Sequence, residues 1–168
     1  MQSSHPVDQT SDGLTLDPFA AIVRSKVLQS FARLSEGDPS AALALMDERV
    51  HYTFEGDHAL GGTRTGREAV ARWFERLLRL LPGRFAIKRI AVSGWAARAM
   101  VTVVFEDTVR PAFGEPYTNH GVQVTELRWG KATRIQTYVN TALVERALRR
   151  LAEHGVDEAS APPIVGHA

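Results

Sequence analysis

The pattern of apolar and polar positions predicts a chain that mixes helices and strands. Near the N-terminus, apolar residues recur at helical spacing until Glu36 and Gly37, which indicates a long first helix. Asp38 and Pro39 then suit the start of a short second helix that extends to Met46. The apolar residues of the first helix are Phe19, Ile22, Val23, Val27, Phe31 and Leu34. We therefore expect a helical hairpin at the start of the domain.

The segments that follow predict one strand, a third helix, four further strands and a last helix. Residues 50–55 alternate as a β-strand does, and a loop that contains several glycines follows them. Thr65, with Glu68 three residues later, has the form of a capping box before an apolar helical stripe. The four strands are predicted at 84–93, 97–109, 117–128 and 132–139, before a helix marked by Leu143, Ala147, Leu148 and Leu151. Because short connections join these strands, they should form an antiparallel meander.

Both ends of the chain lack this periodicity. Residues 1–17 are mostly polar, and residues 155–168 are rich in Gly and Pro, so the sequence predicts a disordered N-terminal tail and a flexible C-terminal tail. The domain is expected to span residues 18–154. A chain of 168 residues with 44% hydrophobic side chains can bury one ordinary core. The predicted fold class is α+β.

Composition makes several kinds of function improbable. The chain has 20 Lys and Arg against 19 Asp and Glu, with no basic stripe, so nucleic acid is not an expected partner. It has no cysteine, which rules out thiol chemistry and fits a cytoplasmic location. No stretch approaches the roughly 20 apolar residues that span a bilayer, so we expect no membrane partner. The six histidines are scattered and no phosphate-binding motif occurs, which predicts neither a metal nor a cofactor.

Short motifs at the element boundaries resemble those of a known family. They are Gly66-Arg67-Glu68-Ala69-Val70, Tyr117-Thr118-Asn119, Gly130-Lys131 and Tyr138-Val139-Asn140-Thr141. Together with the element order, they resemble the SnoaL-like branch of the nuclear transport factor 2-like superfamily over roughly residues 18–153. The resemblance implies a cone-shaped barrel in which N-terminal helices and a strongly curved antiparallel sheet enclose a pocket for a small hydrophobic ligand. It also implies a homodimer formed through the outer face of the sheet.

That superfamily offers several activities, so the site has to be argued from residues. It includes polyketide cyclases, limonene epoxide hydrolases, ketosteroid isomerases, dehydratases and non-catalytic transport or assembly proteins. Counting back from Gly130, the spacing resembles that of the epoxide hydrolases and places Glu106 on a catalytic aspartate. Glu106 is thus the first candidate for general acid or base, and the alternative is a solvated residue paired with Arg110. Val104 and Thr137 replace an arginine and a second aspartate, which argues against epoxide hydrolysis by that mechanism.

His51 is the second catalytic candidate, because it shares a strand face with Thr53 that the resemblance turns toward the cavity. A histidine there titrates near neutral pH and could shuttle protons, although a hydrogen-bonded structural role is the alternative. Thr53 lies where the isomerases carry their general base, and it can bind but not abstract a carbon-bound proton. The candidate substrate-binding residues are Thr53, Asn119, Gln123, Thr137 and Tyr138. A register error of one residue would exchange His51 with Tyr52, and Asn119 with His120.

The sequence therefore predicts a cofactor-independent acid–base enzyme that acts on a small hydrophobic oxygenated metabolite of polyketide or terpenoid type. Cyclisation, isomerisation, dehydration and epoxide opening all remain open. Glu106 would transfer the proton with His51 as its partner, while Asn119 and Gln123 would hold the substrate oxygen. The alternative is a non-catalytic module of the same fold that binds a small ligand or assembles as a dimer.

Overall fold

A six-stranded sheet and four α-helices make up most of the computed structural model, which describes residues 17–166. In chain order the elements are α1 (Pro18–Ser35), α2 (Ser40–Ala44), β1 (Met46–Phe54), β2 (Gly62–Thr65), α3 (Arg67–Leu80), β3 (Gly83–Trp95), β4 (Arg98–Val109), β5 (Tyr117–Arg128), β6 (Lys131–Val139), α4 (Thr141–Glu153) and a 3-10 helix (Asp157–Ser160). The predicted α+β class and the order of the main elements are confirmed. Strand β2 was not predicted, because four residues beside a glycine-containing loop are too short to show an alternation.

The sheet is curved and unclosed, with β2 and β3 at its two edges. Its order is β2-β1-β6-β5-β4-β3, and every neighbouring pair is antiparallel except β1 and β6, which run parallel. The register shifts between Ile87 and Arg89 and between Glu126 and Leu127. Shifts of this kind bend strands and increase their twist, which helps the meander to curve around the helices.

Aromatic side chains join the helices to the inner face of the sheet. The Phe31 ring of α1 meets the rings of Phe85 and Phe105 at centroid distances of 5.4 and 5.6 Å. The Trp73 ring of α3 lies 4.7 Å from that of Tyr52 on β1. Helix α1 begins at an Asp17 cap, where the Asp17 carboxylate accepts a hydrogen bond from the Phe19 N–H at 3.0 Å. None of the helices within residues 17–166 is long and apolar enough to cross a membrane.

Residues 155–166 differ from the predicted flexible tail, because they pack against α3 and β2. Glu158 forms ion pairs with Arg76 at 3.4 Å and with Arg79 at 2.7 Å, and Ala159 is buried. The Arg64 Nε donates to the Ile164 carbonyl at 3.3 Å. These contacts are mainly polar, so the apolar periodicity of the sequence does not reveal them. Residues 1–16 of the predicted N-terminal tail at residues 1–17, and the last two residues of the chain, lie outside the described part.

Candidate active site

A cavity of about 150 Å³ lies between the helices and the inner face of the sheet. Most of its wall is aliphatic and aromatic, and α1, α3 and β3 to β6 all contribute side chains. Polar side chains also reach it, namely Lys26, Ser30, Tyr52, Asp107, Tyr117, Asn119, Gln123, Thr125 and Thr137. Mainly apolar walls with a few polar groups are typical of sites for small organic ligands.

Asp107 is the carboxylate of this cavity. On β4 it shares the inner face with Val103 and Phe105, which are buried, and it pairs across the sheet with Phe85 and Asn119. Its Oδ1 is buried without a hydrogen-bond partner among residues 17–166. Burial raises the pKa of Asp107 from 3.8 to about 7. A carboxyl with this pKa can both accept and donate a proton near neutral pH.

Two neighbours shape the space around the Asp107 carboxyl. Tyr117, the first residue of β5, lines the same part of the cavity, and its hydroxyl is buried with no partner in the described chain. Burial and the nearby charge of Asp107 both raise the pKa of Tyr117, so its phenol stays protonated. Gly83 lies against the carboxyl so closely that a Cβ at this position would overlap it. An acid and a phenol therefore line the same cavity, each with a buried oxygen that has no hydrogen-bond partner in the described chain.

A second polar group forms a chain of hydrogen bonds farther along the cavity. The Thr137 hydroxyl donates to the Gln123 Oε1 at 3.2 Å, and the Tyr52 hydroxyl lies 3.2 Å from the same Thr137 oxygen. Because a threonine hydroxyl has one proton, Tyr52 must be the donor to Thr137. Burial raises the pKa of Tyr52 to about 12, which keeps this donor protonated. The Gln123 amide nitrogen makes no hydrogen bond within residues 17–166, so it can donate to a ligand.

Asn119 lies in the cavity wall but its polar atoms are engaged by the backbone. Its Oδ1 accepts from the N–H groups of His120 and Asn140, both at 2.9 Å, and its Nδ2 donates to the Asn140 carbonyl at 3.2 Å. Asn119 thus ties β5 to the start of α4. The predicted placement of Asn119, Gln123 and Thr137 in the cavity agrees with the structure, while their roles toward a substrate stay predictions.

The predicted placement of Glu106 in the cavity is wrong. Glu106 lies on the outer face of β4, where its Oε2 pairs with Lys88 Nζ at 2.7 Å and its Oε1 lies 3.7 Å from His120 Nδ1. The hydrogen bond and the charge of Lys88 hold the pKa of Glu106 below its ordinary value. Its partner is therefore Lys88 and not the predicted Arg110. The acid that points inward is the next residue, Asp107.

Three other candidates also lie outside the cavity. His51 is exposed, and its Nδ1 is 3.1 Å from the Thr65 hydroxyl on β2. The Thr53 hydroxyl bonds the Thr63 hydroxyl at 2.8 Å, and Tyr138 is 43% exposed on the outer face. The inward face of β1 carries its apolar residues and Tyr52, so the predicted orientation of this strand is reversed. The polar cavity residues that sequence reasoning did not select are Lys26, Ser30, Tyr52, Asp107, Tyr117 and Thr125.

Arg64 supports the cavity wall from behind. This residue of β2 is 0% exposed, and its guanidinium carbon lies 5.4 Å from the Tyr52 ring centroid and 5.0 Å from that of Trp73. It donates to the carbonyls of Gly61 at 2.7 Å and Gly62 at 2.6 Å. Burial lowers the pKa of Arg64 to about 10, so it remains charged at neutral pH. Among residues 17–166, no three His, Asp or Glu side chains converge as a metal site would require.

Comparison with known families agrees with this fold. The sequence profile of the SnoaL-like domain matches residues 27–135, well over half of the chain. The protein belongs to the SnoaL-like domain family that the motifs predicted. No curated protein sequence matches the chain significantly.

Solved structures show the same cone-shaped fold. PrhC from Penicillium brasilianum NBRC 6234 is similar with a TM-score of 0.64 at 16% identity, over 84% of this chain and 95% of that one. TerC, co-crystallised with polyporic acid, has a TM-score of 0.61 at 23% identity, over 74% and 96%. A candidate SnoaL-like polyketide cyclase from Jannaschia sp. CCS1 has a TM-score of 0.61 at 14% identity, over 77% and 93%. At these identities the likeness shows the fold.

Proposed function

We propose that the protein is a cofactor-independent acid–base enzyme for a small hydrophobic oxygenated metabolite of polyketide or terpenoid type, with Asp107 as the proton-transfer group. The observation that carries this proposal is a cavity-facing carboxyl that burial brings to a pKa of about 7 while its Oδ1 keeps no partner. Enzymes tune carboxyl groups in this direction when a proton must move at neutral pH. Asp107 takes the role that the sequence assigned to Glu106.

The neighbours of Asp107 fit a ligand with an apolar body and two oxygen functions. One oxygen would lie beside the Asp107 carboxyl, where the Tyr117 phenol can donate a hydrogen bond to it. A second oxygen would accept from the free amide nitrogen of Gln123, which the Tyr52–Thr137 chain holds in place. The mainly apolar wall would bind the rest of the molecule through burial of its surface.

A single carboxyl favours reactions in which one group takes a proton and later returns it. Removal of a proton next to a carbonyl gives an enolate, and protonation at another carbon then completes an isomerisation. In an internal ring closure, the enolate carbon instead forms a bond to a second carbonyl carbon of the substrate, the π bond of that carbonyl breaks, and its oxygen takes the proton back from Asp107. Tyr117 can stabilise the oxygen that gains negative charge in the intermediate. Two of the structural similarities support this substrate class by analogy, namely those to the candidate polyketide cyclase and to the TerC structure with polyporic acid.

Exchange of carbon-bound hydrogen with solvent tests the proposal even when the natural substrate has not been identified. A panel of neutral polycyclic ketones and hydroxyquinones is incubated with the protein in deuterated water, and deuterium uptake is followed by mass spectrometry. We expect catalysed exchange with the wild type and a roughly 10²–10⁴-fold loss for Asp107→Asn. Glu106→Gln is the matched control, since it changes the adjacent carboxyl on the opposite face and should keep full activity.

Two outcomes would overturn the assignment. Undiminished exchange by Asp107→Asn would remove Asp107 from the chemistry. Tight binding of a panel ligand with no exchange or conversion by the wild type would favour the second candidate, a ligand-binding module. That alternative has its own support, because the cavity contains one carboxyl and an otherwise mainly apolar wall.

A further inference from the structure

The lining of the cavity is most exposed on α1 and at the turn where β5 runs into β6. Among the residues that line it, Lys26 on α1 and Gly130 in the β5–β6 turn are the exposed ones, while the others are buried or half-buried. A Cβ on Gly130 would meet no other atom within 4 Å. The cavity lining therefore reaches the surface at α1 and at this turn.

Two exposed tryptophans lie at the same end of the sheet. Trp95, the last residue of β3, is 65% exposed, and Trp129, which directly precedes Gly130, is 75% exposed. Their ring centroids are 6.3 Å apart with an interplanar angle of 77°. The third tryptophan, Trp73, is 1% exposed and packs in the core. We name Trp95 and Trp129 the tryptophan tip.

Trp129 occupies its position at a conformational cost. It has a φ of 49°, and Gly130 has a φ of 75°, in a two-residue turn between the paired residues Arg128 and Lys131. Such turns favour Asn, Asp or Gly at both positions, whereas a bulky side chain is strained there. Asn or Gly at 129 would close the hairpin without this strain. Strain retained on an exposed residue points to a role outside folding.

Basic side chains flank the two tryptophans in their hairpins. Arg98 is the strand partner of Trp95, and Arg128 and Lys131 lie on either side of the β5–β6 turn. These three residues are exposed, and none forms an ion pair with another residue in the range 17–166. Lys131 instead donates to the Ala44 carbonyl at 2.7 Å, which keeps its charge close to the turn. Exposed indoles with nearby cations match the chemistry of an anionic lipid surface, where Trp settles at the headgroup level and Lys and Arg attract acidic lipids.

We propose that the tryptophan tip docks on an anionic lipid surface and places the exposed part of the cavity lining against it, so that apolar ligands pass between lipid and cavity. The tip consists of hairpin ends and carries its cations beside the indoles, which suits shallow insertion into an interface. The docking needs no membrane-spanning segment. It adds a membrane partner that the sequence did not predict, and it does not depend on the chemistry of Asp107.

Vesicle binding by the full chain tests this proposal. The protein is sedimented with vesicles of phosphatidylcholine alone and with vesicles that also contain phosphatidylserine, at low and at physiological ionic strength. We expect binding to the anionic vesicles, weakening with salt, and quenching of tryptophan fluorescence by brominated lipids. Trp129→Asn should fold at least as well, because Asn suits the turn, yet bind about tenfold or more weakly. Lys131→Gln should weaken binding by about fivefold.

A control variant separates the tip from another exposed aromatic residue. Phe113→Ser in the β4–β5 loop removes a side chain that is 39% exposed and should leave vesicle binding unchanged. Absence of binding to anionic vesicles, or equal binding by wild type and Trp129→Asn, would overturn the proposal. A change from dimer to monomer in Trp129→Asn without any vesicle binding would overturn it in favour of a second copy covering the tip.

Discussion

The substitution Asp107→Asn should stabilise the protein at alkaline pH and leave its stability nearly unchanged at acidic pH. Burial raises the pKa of this carboxyl from 3.8 to about 7, so the folded state holds its proton more tightly than the unfolded chain does. Between these two values the unfolded state binds fewer protons, and the free energy of unfolding falls as the pH rises. Above about pH 7 Asp107 is ionised in the folded protein, and the loss in the free energy of unfolding from keeping this charge in the cavity wall has reached its full size.

The size of this difference in stability follows from the shift in the pKa of Asp107. A difference of this size in pKa corresponds to at most about 4 kcal/mol, and contact of the half-buried group with cavity water reduces it. Asn has nearly the same shape and no charge, so it removes this penalty. The melting temperature of Asp107→Asn should therefore exceed that of the wild type by up to on the order of 10 °C at about pH 8.5. At about pH 4 the two proteins should melt within a few degrees of each other.

Thermal and urea unfolding at both pH values measure this difference, with Glu106→Gln as the matched control. The Glu106 carboxylate pairs with Lys88 and has a lowered pKa, so its loss should not stabilise the protein at alkaline pH. An equal change in stability from Asp107→Asn at the two pH values would show that burial does not raise the pKa of Asp107. So would a lower stability of that variant at alkaline pH, since this would show that the charged carboxylate is well accommodated.

Three further predictions concern other parts of the molecule. Deleting residues 157–168 should lower the melting temperature by several degrees, because it removes the ion pairs of Glu158 with α3; an unchanged value would mean that this packing adds nothing. Thr137→Val should cost about 1–3 kcal/mol in urea unfolding, because the buried Tyr52 hydroxyl loses its partner, and a neutral effect would contradict this. We also propose that the outer sheet face, which exposes Met100 and Tyr138, forms a homodimer; light scattering that gives a monomer mass at micromolar concentration would contradict it.

Strand β4 shows why the acid was predicted one residue away from its place. Both faces of β4 carry apolar residues, so alternation alone does not decide whether Glu106 or Asp107 points inward. The count from Gly130 decided it, and that count crosses the loop at residues 110–116. Loops vary in length between relatives. If the loop differs by one residue, the count along the next strand shifts by one, and the predicted inward and outward faces of that strand are exchanged. The same count was correct for Asn119 and Gln123, which lie on β5 before any loop is crossed.

Strand β1 shows a different failure. Its alternation separates an apolar face with Val50 and Phe54 from a polar face with His51, and the apolar face lines the core and cavity. The polar face was predicted to line the cavity because it carries His51, although burial of apolar surface favours the opposite face. In a cavity for an apolar ligand, the apolar face is the one that points in. Tyr52 lies on this apolar face, where an aromatic residue has the sequence pattern of an ordinary core residue.

The outline of the fold was predictable because long periodic segments and glycine turns define the helices and the meander. The two missed features, β2 and the packed residues 155–166, depend on one buried arginine. Arg64 contacts both through backbone carbonyls, a nearby one at Gly61 and one at Ile164 that is 100 residues away in sequence. A pattern based on apolar spacing has no means of showing that an arginine is buried.

The titration of the Asp107 carboxyl shows directly whether this group can transfer a proton near neutral pH. The ¹³C resonances of the aspartate carboxyl groups are followed by NMR as the pH changes, and the Asp107 signal is assigned from its absence in Asp107→Asn. We expect the Asp107 signal to have its midpoint near pH 7, in the wild type and equally in Glu106→Gln. If the Asp107 signal titrates below about pH 5, as an ordinary solvated aspartate does, the cavity holds no carboxyl poised for proton transfer and the proposed function fails.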